Sequence, residues 1–517
     1  MKQMKNISGI IMLAGVLWML AGCKKFLTEA PLTQVPTEDY FKAVKDITAA
    51  VAGMYASFQQ EMIGDGVTNS DLGGKYHYWG EARSDNFDRG QYANSIINEL
   101  SLNALTSGNA TTSWAGLYRT IGRANYCLKY IPQVPKYDLN ATATVVNNNM
   151  AQCYAMRAMC YFYIVRLWGD APMWTEPYVD VTQQAEKARV SKTVVLDTVL
   201  NDLQKAYTLI QKNQTPVVWN IGEAAICAML ADVYMWKKDY PNAIIWIKKL
   251  FAARAPGPVA GNGKVYTGTT GAGGDLEAMT EWKGNLFLNP VLSKEAIWSI
   301  YWDNTNNGCA CIPVSIQKSN NPIRVDSIIW ADWKNAFGRT DKRVILTIDT
   351  LPNTGHVDKI FKYYTVNATN SAIATTVETS AVYLVMYRLA DIYLLYAEAL
   401  NKSSDLPNAL KYLNFVHQRA GNAAYLATDP AVADMNSMEN TILLERQYEL
   451  FGEGKRWFDL VRTNKVNTVM DPVLNLRQKR LGSAPTGFGS DQNKILWPLN
   501  RNILEDNKLL KQNDSYN

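Results

Sequence analysis

The chain has 517 residues, of which 47% are hydrophobic and 19% are charged, and its formal net charge is +5. This composition is typical of a globular protein and excludes a largely disordered chain. Because the net charge is small for this length and no basic run occurs, nucleic acid is not expected as a partner.

The N-terminus has the features of a secretory signal. Two lysines precede an apolar run over residues 7–20, and small residues lead to Cys23. The run is shorter than the about 20 apolar residues that a membrane-spanning helix requires. We therefore predict a signal peptide over residues 1–22 and a lipidated Cys23 that tethers the mature protein to a membrane. Lys24, in place of aspartate, favours the outer membrane; an N-terminal transmembrane anchor is the alternative.

A short pattern occurs twice in the mature chain. Leu-Ala-Asp-Val-Tyr at residues 230–234 recurs as Leu-Ala-Asp-Ile-Tyr at residues 389–393, each time among apolar residues with helical spacing. Small and aromatic residues at such offsets are typical of tetratricopeptide helix-turn-helix units. We predict an all-α fold in which tetratricopeptide-like pairs form a right-handed superhelix. Besides the two repeat helices, the predicted helices are Thr37 to Gln59, Thr112 to Tyr130, Asn147 to Trp168, Val194 to Gln211, Asn242 to Leu250 and Glu439 to Arg462.

Two long insertions interrupt the predicted helices. Residues 60–111 and 251–382 are rich in turn-forming residues, and their aromatic residues follow no helical period. A few short strands, such as Val344 to Ile348, are expected there, and residues 466–517 read as an extended tail. The helical scaffold is accordingly expected mainly over residues 37–59, 112–250 and 383–462.

The most specific motif lies near the C-terminus. Residues 445–462 read Glu-Arg-Gln-Tyr-Glu-Leu-Phe-Gly-Glu-Gly-Lys-Arg-Trp-Phe-Asp-Leu-Val-Arg. Together with Gly-Asp-Ala-Pro at 169–172 and Leu-Trp-Pro-Leu at 496–499, this motif resembles the SusD/RagB family of nutrient-binding lipoproteins. The resemblance covers residues 23–517 as one SusD-like domain. It implies a ligand site built from loops, a glycan or other oligomeric nutrient as ligand, a SusC-like TonB-dependent outer-membrane transporter as partner, and display at the cell surface.

Aromatic clusters in the two insertions are the candidate ligand contacts. An aromatic ring matches the C–H face of a sugar, while polar neighbours bond its hydroxyl groups. The resemblance places parts of the ligand surface in the same two regions. The predicted ligand-binding residues are Tyr76, Tyr78, Trp79, Arg83, Asp85 and Asn86 in the first insertion and Trp282, Phe287, Trp302 and Asn304 in the second.

A structural role for these clusters is the alternative. The aromatic rings would then hold the insertions onto the helices, and Arg83 and Asp85 would form a buried ion pair. If the ligand role is correct, Trp79→Ala should weaken ligand binding by about 1 to 3 kcal/mol and leave folding intact. Trp457, within the motif, is expected to be a core residue instead.

The sequence gives little support to catalysis or to a cofactor. His77, His356 and His417 lack metal-ligand spacing, and no known nucleophile or nucleotide motif occurs. Glu445 and Glu449 lie one helical turn apart, and we interpret them as partners of nearby basic residues rather than as the two acids of a glycosidase. We therefore expect a nutrient-binding protein without a cofactor; a protein-binding scaffold lipoprotein and a glycan-cleaving enzyme are the alternatives.

Overall fold

The computed structural model is mostly helical in the part of the chain that it describes, which confirms the all-α fold class. Residues 1–39, with the predicted signal peptide and Cys23, and the predicted site residue Asn304 lie outside that part. The described residues are 40–64, 74–90, 93–180, 182–215, 217–253, 275–302, 322–336, 341–348, 360, 362–363 and 383–516.

Helices of the N-terminal half form the first part of the scaffold, and the longer ones lie close to the bounds that apolar spacing predicts. They are α1 (Val44–Ile63), α2 (Lys75–Gly80), α3 (Ser95–Ser101), α4 (Ala115–Tyr130), α5 (Ala143–Trp168), α6 (Lys192–Leu209), α7 (Glu223–Trp236) and α8 (Tyr240–Ala252). Helix α4 packs between α1 and α5, α5 also packs against α6, and α7 packs against α8.

The C-terminal half adds shorter helices and, with the first insertion, four short strands. The helices are α9 (Met279–Lys283), α10 (Ser327–Ala336), α11 (Lys342–Thr347), α12 (Leu389–Lys402), α13 (Leu406–Arg419), α14 (Met435–Glu449), α15 (Arg456–Arg462), α16 (Val466–Arg480) and α17 (Arg501–Asp506). The strands are β1 (Phe87–Arg89), β2 (Ala296–Ile300), β3 (Ile323–Val325) and β4 (Leu384–Arg388), with β1 antiparallel to β3 and β2 antiparallel to β4. Within the described ranges, no helix is both long and apolar enough to cross a bilayer.

Each copy of the repeat lies in the first helix of a helical hairpin, but residues 230–234 lie near the end of α7 and residues 389–393 begin α12. In each hairpin, α7–α8 and α12–α13, an aspartate caps the second helix by accepting a hydrogen bond from the backbone N–H three residues later; these aspartates are Asp239 and Asp405. A proline follows at the start of each second helix, where its missing N–H costs nothing. Ala243 and Ala409 have no exposed surface, and their small side chains let the two helices approach closely.

Aspartates of the repeat also hold the scaffold together through buried charges. Asp232 accepts a hydrogen bond from the Tyr387 hydroxyl at 2.8 Å. Asp391 forms ion pairs with Arg446 at 2.9 Å and with Lys455 at 3.1 Å. Burial alone would raise the pKa of Asp391, but the charges of Lys455 and Arg446 lower it to about 2, so this carboxylate fixes α12 against α14 and the start of α15.

The strand expected from Val344 to Ile348 is wrong, because residues 342–347 form α11. The β-branched residues favour a strand locally. However, the side chain of Asp341 accepts a hydrogen bond from the backbone N–H of Arg343 at 2.9 Å, and this cap begins a helix.

The motif at 445–462 is not part of one continuous helix, which corrects the predicted helix from Glu439 to Arg462. Helix α14 ends at Glu449, and α15 begins at Arg456. Between them Gly452 and Gly454 have φ values of 74° and 69°, a left-handed conformation that favours glycine. A side chain at Gly454 would also approach the backbone oxygen of Tyr76 at 3.1 Å.

Part of the expected extended tail is likewise helical. Residues 466–480 form α16 although Pro472 lies inside it. Val466, Met470, Val473 and Leu474 are all buried, and their spacing of three and four residues gives the helix one apolar face. Packing of that face outweighs the local cost of the proline.

Candidate ligand-binding site

The predicted residues of the first insertion lie inside the protein, which corrects the expectation that they face outward. Tyr78, Trp79 and Asn86 have no exposed surface, and Tyr76 and Arg83 have 2% each. The indole nitrogen of Trp79 donates to the carbonyl oxygen of Thr111 at 2.9 Å. Rings with no accessible surface pack the insertion onto the helices instead of offering a face to a ligand.

Arg83 and Asp85 are held by other partners and not by each other. The Arg83 guanidinium lies 4.3 Å from the ring centre of Trp457 and donates to the carbonyl oxygen of Ile495 at 3.1 Å. Asp85, which is half-buried, pairs with Arg456 at 2.8 Å. Burial alone would raise the pKa of Asp85, but Arg456 lowers it below its ordinary value. The anticipated Arg83–Asp85 ion pair is therefore wrong, and both residues bind the first insertion to the C-terminal part of the chain.

Two titratable groups of the first insertion are sealed in the core. Burial lowers the pKa of His77 to about 4, and its Nε2 lies 3.0 Å from the carbonyl oxygen of Gly452. Burial also raises the pKa of Glu81 to about 8, even though its carboxyl accepts hydrogen bonds from Asn86 and from the backbone N–H of Lys455. Both groups are therefore uncharged at neutral pH and act as hydrogen-bonded packing elements.

The described residues of the second predicted cluster are buried as well. Trp282 and Phe287 have no exposed surface and contact each other edge to face, with ring centres 5.1 Å apart. Trp302 is 2% exposed. The ammonium group of Lys362 lies 4.9 Å from the Trp282 ring centre. Trp282 and Phe287 cover the charge of Lys362, and the burial of all three rings shows that their expected outward orientation is wrong.

That charge belongs to a buried ion network around the motif carboxylates. Glu449 pairs with Arg388 at 2.6 Å and with Arg343 at 3.0 Å, and it also pairs with Arg419. Arg388 in turn contacts Glu295 and Glu453, both at 2.8 Å. Further members are Asp341, Lys362, His417 and Glu445. Glu445 and Glu449 each form ion pairs with basic residues, as expected. Their partners, however, come from distant segments and not from the neighbouring basic residues of the motif.

An open aromatic surface lies elsewhere, at the junction of α1, β2 and the segment before α7. Trp219, Tyr301 and Tyr383 contact one another, with ring centres 5.2 to 5.6 Å apart. Tyr301 is 37% exposed, and Trp219 and Tyr383 are half-buried. Three aromatic rings thus remain partly open to solvent in one place.

A cavity of about 260 Å³ opens beside these rings. Trp219 and Tyr301 line it together with Tyr55 of α1 and Asn220. Ser299 of β2 also lines the cavity; its buried hydroxyl has no hydrogen-bond partner within the described part of the chain. An apolar cavity with a few polar groups at its edge is the usual form of a small-molecule site.

Two of these rings lie at the end of β2. Tyr301 and Trp302 follow the end of β2, and Tyr301 is exposed whereas Trp302 is buried. The backbone N–H of Ser299 donates to the carbonyl oxygen of Val218 at 2.9 Å, which places Trp219 beside the end of β2. The sequence shows that Tyr301 and Trp302 are adjacent aromatic residues. Which of the two is exposed depends on the tertiary packing at the end of β2.

A second aromatic cavity, of about 340 Å³, lies against α4. Trp174, Tyr178 and Tyr118 line it, and the ammonium group of Lys187 lies 4.0 Å from the Trp174 ring centre. The Tyr118 hydroxyl donates to the carbonyl oxygen of Pro172. The cation covers the Trp174 ring, whereas Tyr178 is 40% exposed.

The helical hairpins and the open aromatic cavity together place the chain in the class of helical-repeat proteins that carry a binding cavity. Among the described residues, no group of histidine, cysteine, aspartate or glutamate side chains could hold a metal ion. A family model described as the SusD family matches residues 317–516, and a second model, described as starch-binding and associating with the outer membrane, matches residues 25–235.

Individual relatives agree with these family matches. Two SusD-like proteins of Formosa agariphila are 28% and 26% identical, covering 100% and 99% of this chain and the same shares of their own lengths. A crystal structure of a SusD superfamily protein from Bacteroides vulgatus has a TM-score of 0.70 at 16% identity and covers 92% of this chain and 100% of the other. A SusD homolog from Bacteroides thetaiotaomicron has a TM-score of 0.70 at 18% identity, with coverage of 93% and 98%. The chain belongs to the SusD family.

Proposed function

We propose that the protein is a lipid-anchored outer-membrane protein that captures a glycan in the aromatic cavity beside Trp219 and passes it to a SusC-like TonB-dependent transporter. The observation that carries this proposal is the partly exposed ring surface of Trp219, Tyr301 and Tyr383 next to an open cavity. Such rings match the C–H faces of pyranoses. The signal sequence and Cys23 support the lipid anchor, and membership of the SusD family supports the transporter.

The expected affinity suits capture followed by release. Covering roughly 60 Å² of apolar surface on each of two rings, at about 25 cal/mol per Å², contributes about 3 kcal/mol. A few hydrogen bonds add about 1 kcal/mol each, and immobilising the ligand subtracts from the total. The balance corresponds to a dissociation constant of roughly millimolar to tens of micromolar, which allows rapid release to a transporter.

Substituting the open rings tests where the glycan binds. We expect Trp219→Ala and Tyr301→Ala each to weaken binding of the cognate glycan by about 1 to 3 kcal/mol, because each variant removes a stacking face from the cavity. Isothermal titration calorimetry measures the change, with the glycan chosen from affinity gels that contain different polysaccharides. Far-ultraviolet circular dichroism checks that each variant is folded.

Trp174→Ala is the matched control because it removes the same side chain from the other aromatic cavity. It should leave the affinity unchanged. A loss of affinity in Trp174→Ala together with unchanged affinity in Trp219→Ala and Tyr301→Ala would move the site to the cavity against α4 and contradict the assignment. Shorter sugar products formed when the protein is incubated with the glycan would instead favour a glycan-cleaving enzyme.

A further inference from the structure

A second cavity adjoins the aromatic cavity and shares a wall with it. Its volume is about 190 Å³, and Asn220 lines both cavities. The rest of the shared wall is fixed by Tyr55, whose hydroxyl donates to the side-chain oxygen of Gln152 and accepts from the backbone N–H of Ile221, both at 2.8 Å. Gln152 and Ile221 line the second cavity, whereas Tyr55 lines the first.

The shared wall keeps its hydrogen bonds across the physiological pH range. Burial raises the pKa of Tyr55 well above its ordinary value, so its phenol remains protonated and continues to donate to Gln152. Within residues 217–221, Trp219 lines the first cavity and Val217 lines the second. A ligand that follows this segment passes from the aromatic cavity into its neighbour over Asn220.

The second cavity is lined by amides instead of aromatic rings. Of the described residues that line it, none is aromatic, and its amide side chains are Asn148, Gln152, Gln211, Gln214 and Asn220. An amide group offers two N–H donors and an oxygen that accepts two hydrogen bonds. The amide nitrogen of Asn148 donates to Gln211 at 3.3 Å and that of Gln214 donates to the backbone of Lys212 at 3.2 Å. Each of these amides therefore keeps capacity for sugar hydroxyls.

Charge in the two cavities excludes some sugars. Among the described lining residues of both, Glu223 is the one residue with a carboxylate or a cationic side chain. One of its carboxylate oxygens accepts a hydrogen bond from the backbone N–H of Asn213 at 2.9 Å. A carboxylate at this position repels a uronate or sulfate group, the charge of nearby Lys212 offsets part of that repulsion, and the amides suit uncharged hydroxyls.

We propose that the amide-lined cavity is a second subsite, so that the complete site binds an uncharged oligosaccharide. One sugar stacks in the aromatic cavity, and the next sugars along the chain bond to the amides beyond Asn220. This inference rests on the proposed function and adds to it the charge of the ligand and a minimum length greater than one sugar. Stacking supplies affinity in the first cavity, and hydrogen bonding supplies it in the second.

A chain-length series with matched variants tests the second subsite. The probes are uncharged malto-, cello- and xylo-oligosaccharides from disaccharide to hexasaccharide, together with hexagalacturonate as the anionic probe. For the uncharged series that binds, we expect the hexasaccharide to bind about tenfold more tightly than the disaccharide, the gain from two or so additional hydrogen bonds. The double variant Gln211→Leu, Gln214→Leu should lose most of this gain, whereas its affinity for the disaccharide, which places at most one sugar beyond Asn220, should fall less.

Gln418→Leu on α13 is the control and should retain the full gain with chain length. If the double variant retains that gain too, the second subsite is refuted, while the dependence of disaccharide binding on Trp219 leaves the proposed function standing. Absence of binding to every probe would count against the proposed function itself.

Hexagalacturonate should bind the wild type more weakly than the uncharged hexasaccharides do. The substitution Glu223→Gln should reduce this difference in affinity. Tighter binding of hexagalacturonate than of every uncharged probe would overturn the inferred charge preference.

Discussion

Trp79→Ala is expected to lower the free energy of unfolding by about 3 to 5 kcal/mol, as truncation of a fully buried tryptophan does. Trp79 has no exposed surface, its ring contacts those of Tyr163 and Trp168 at 5.9 and 5.6 Å, and its indole N–H is bonded to Thr111. The substitution opens a cavity and leaves the Thr111 carbonyl without its donor. Urea denaturation followed by tryptophan fluorescence or circular dichroism measures the loss.

Tyr137→Ala provides the comparison, because the Tyr137 side chain is 56% exposed and its loss should cost less than about 1 kcal/mol. The folded fraction of Trp79→Ala should bind the glycan as the wild type does. Unchanged stability combined with weaker binding would restore the ligand role expected for Trp79 from the sequence and contradict the packing role.

Arg388→Met is expected to destabilise the protein by about 3 to 5 kcal/mol, because it leaves buried carboxylates without a counter-charge. Arg388 lies at the end of β4 and contacts Glu295, Glu449 and Glu453 at 2.6 to 2.8 Å. Methionine fills a similar volume but supplies neither charge nor hydrogen bonds. The loss should be visible as a lower midpoint in urea denaturation and in thermal unfolding.

The same substitution at an exposed arginine isolates the effect of burial. Arg123 is exposed and donates one hydrogen bond to the carbonyl oxygen of Gly53, so Arg123→Met should cost less than about 1 kcal/mol. Equal, small losses in the two variants would show that the ion network around Glu449 contributes little to stability. That result would contradict the conclusion that the buried ion network around the 445–462 motif stabilises the fold.

Features with local causes were predictable from the sequence. Apolar spacing around residues 230–234 and 389–393 predicts the first helices of the two hairpins, because apolar spacing acts within a few positions, although the copies lie at opposite ends of α7 and α12. The helix break at Gly452 was missed, although two glycines flank Glu453. Both glycines have positive φ values, and the close neighbours are residues far away in the chain: Ile360 and Phe87 at Gly452, and Tyr76 at Gly454.

The site was harder to predict because its determinants are non-local. Composition identifies aromatic residues in the insertions but does not indicate which of them the helices cover. Trp302 and Tyr301 are neighbours with opposite exposure, and the tertiary packing beyond the end of β2 decides between them. Trp219 lies between two predicted helices, where a single aromatic residue gives no signal until β2 is placed beside it.

Ion pairs show the same limit of local reasoning. Glu449 was expected to bind basic residues of its own motif, yet its partners Arg343, Arg388 and Arg419 come from other segments. The nearby Arg456 pairs instead with Asp85 of the first insertion. Charges within a few positions of each other are the natural candidates on an exposed helix, but burial brings together whichever opposite charges the tertiary fold requires.

The central claim is that glycan binds at the rings of Trp219, Tyr301 and Tyr383. A crystal structure of the protein with the most tightly bound oligosaccharide tests it most directly. We predict a sugar ring in van der Waals contact with Trp219 and Tyr301. An oligosaccharide bound at a different surface, with these three rings uncovered, would contradict the claim.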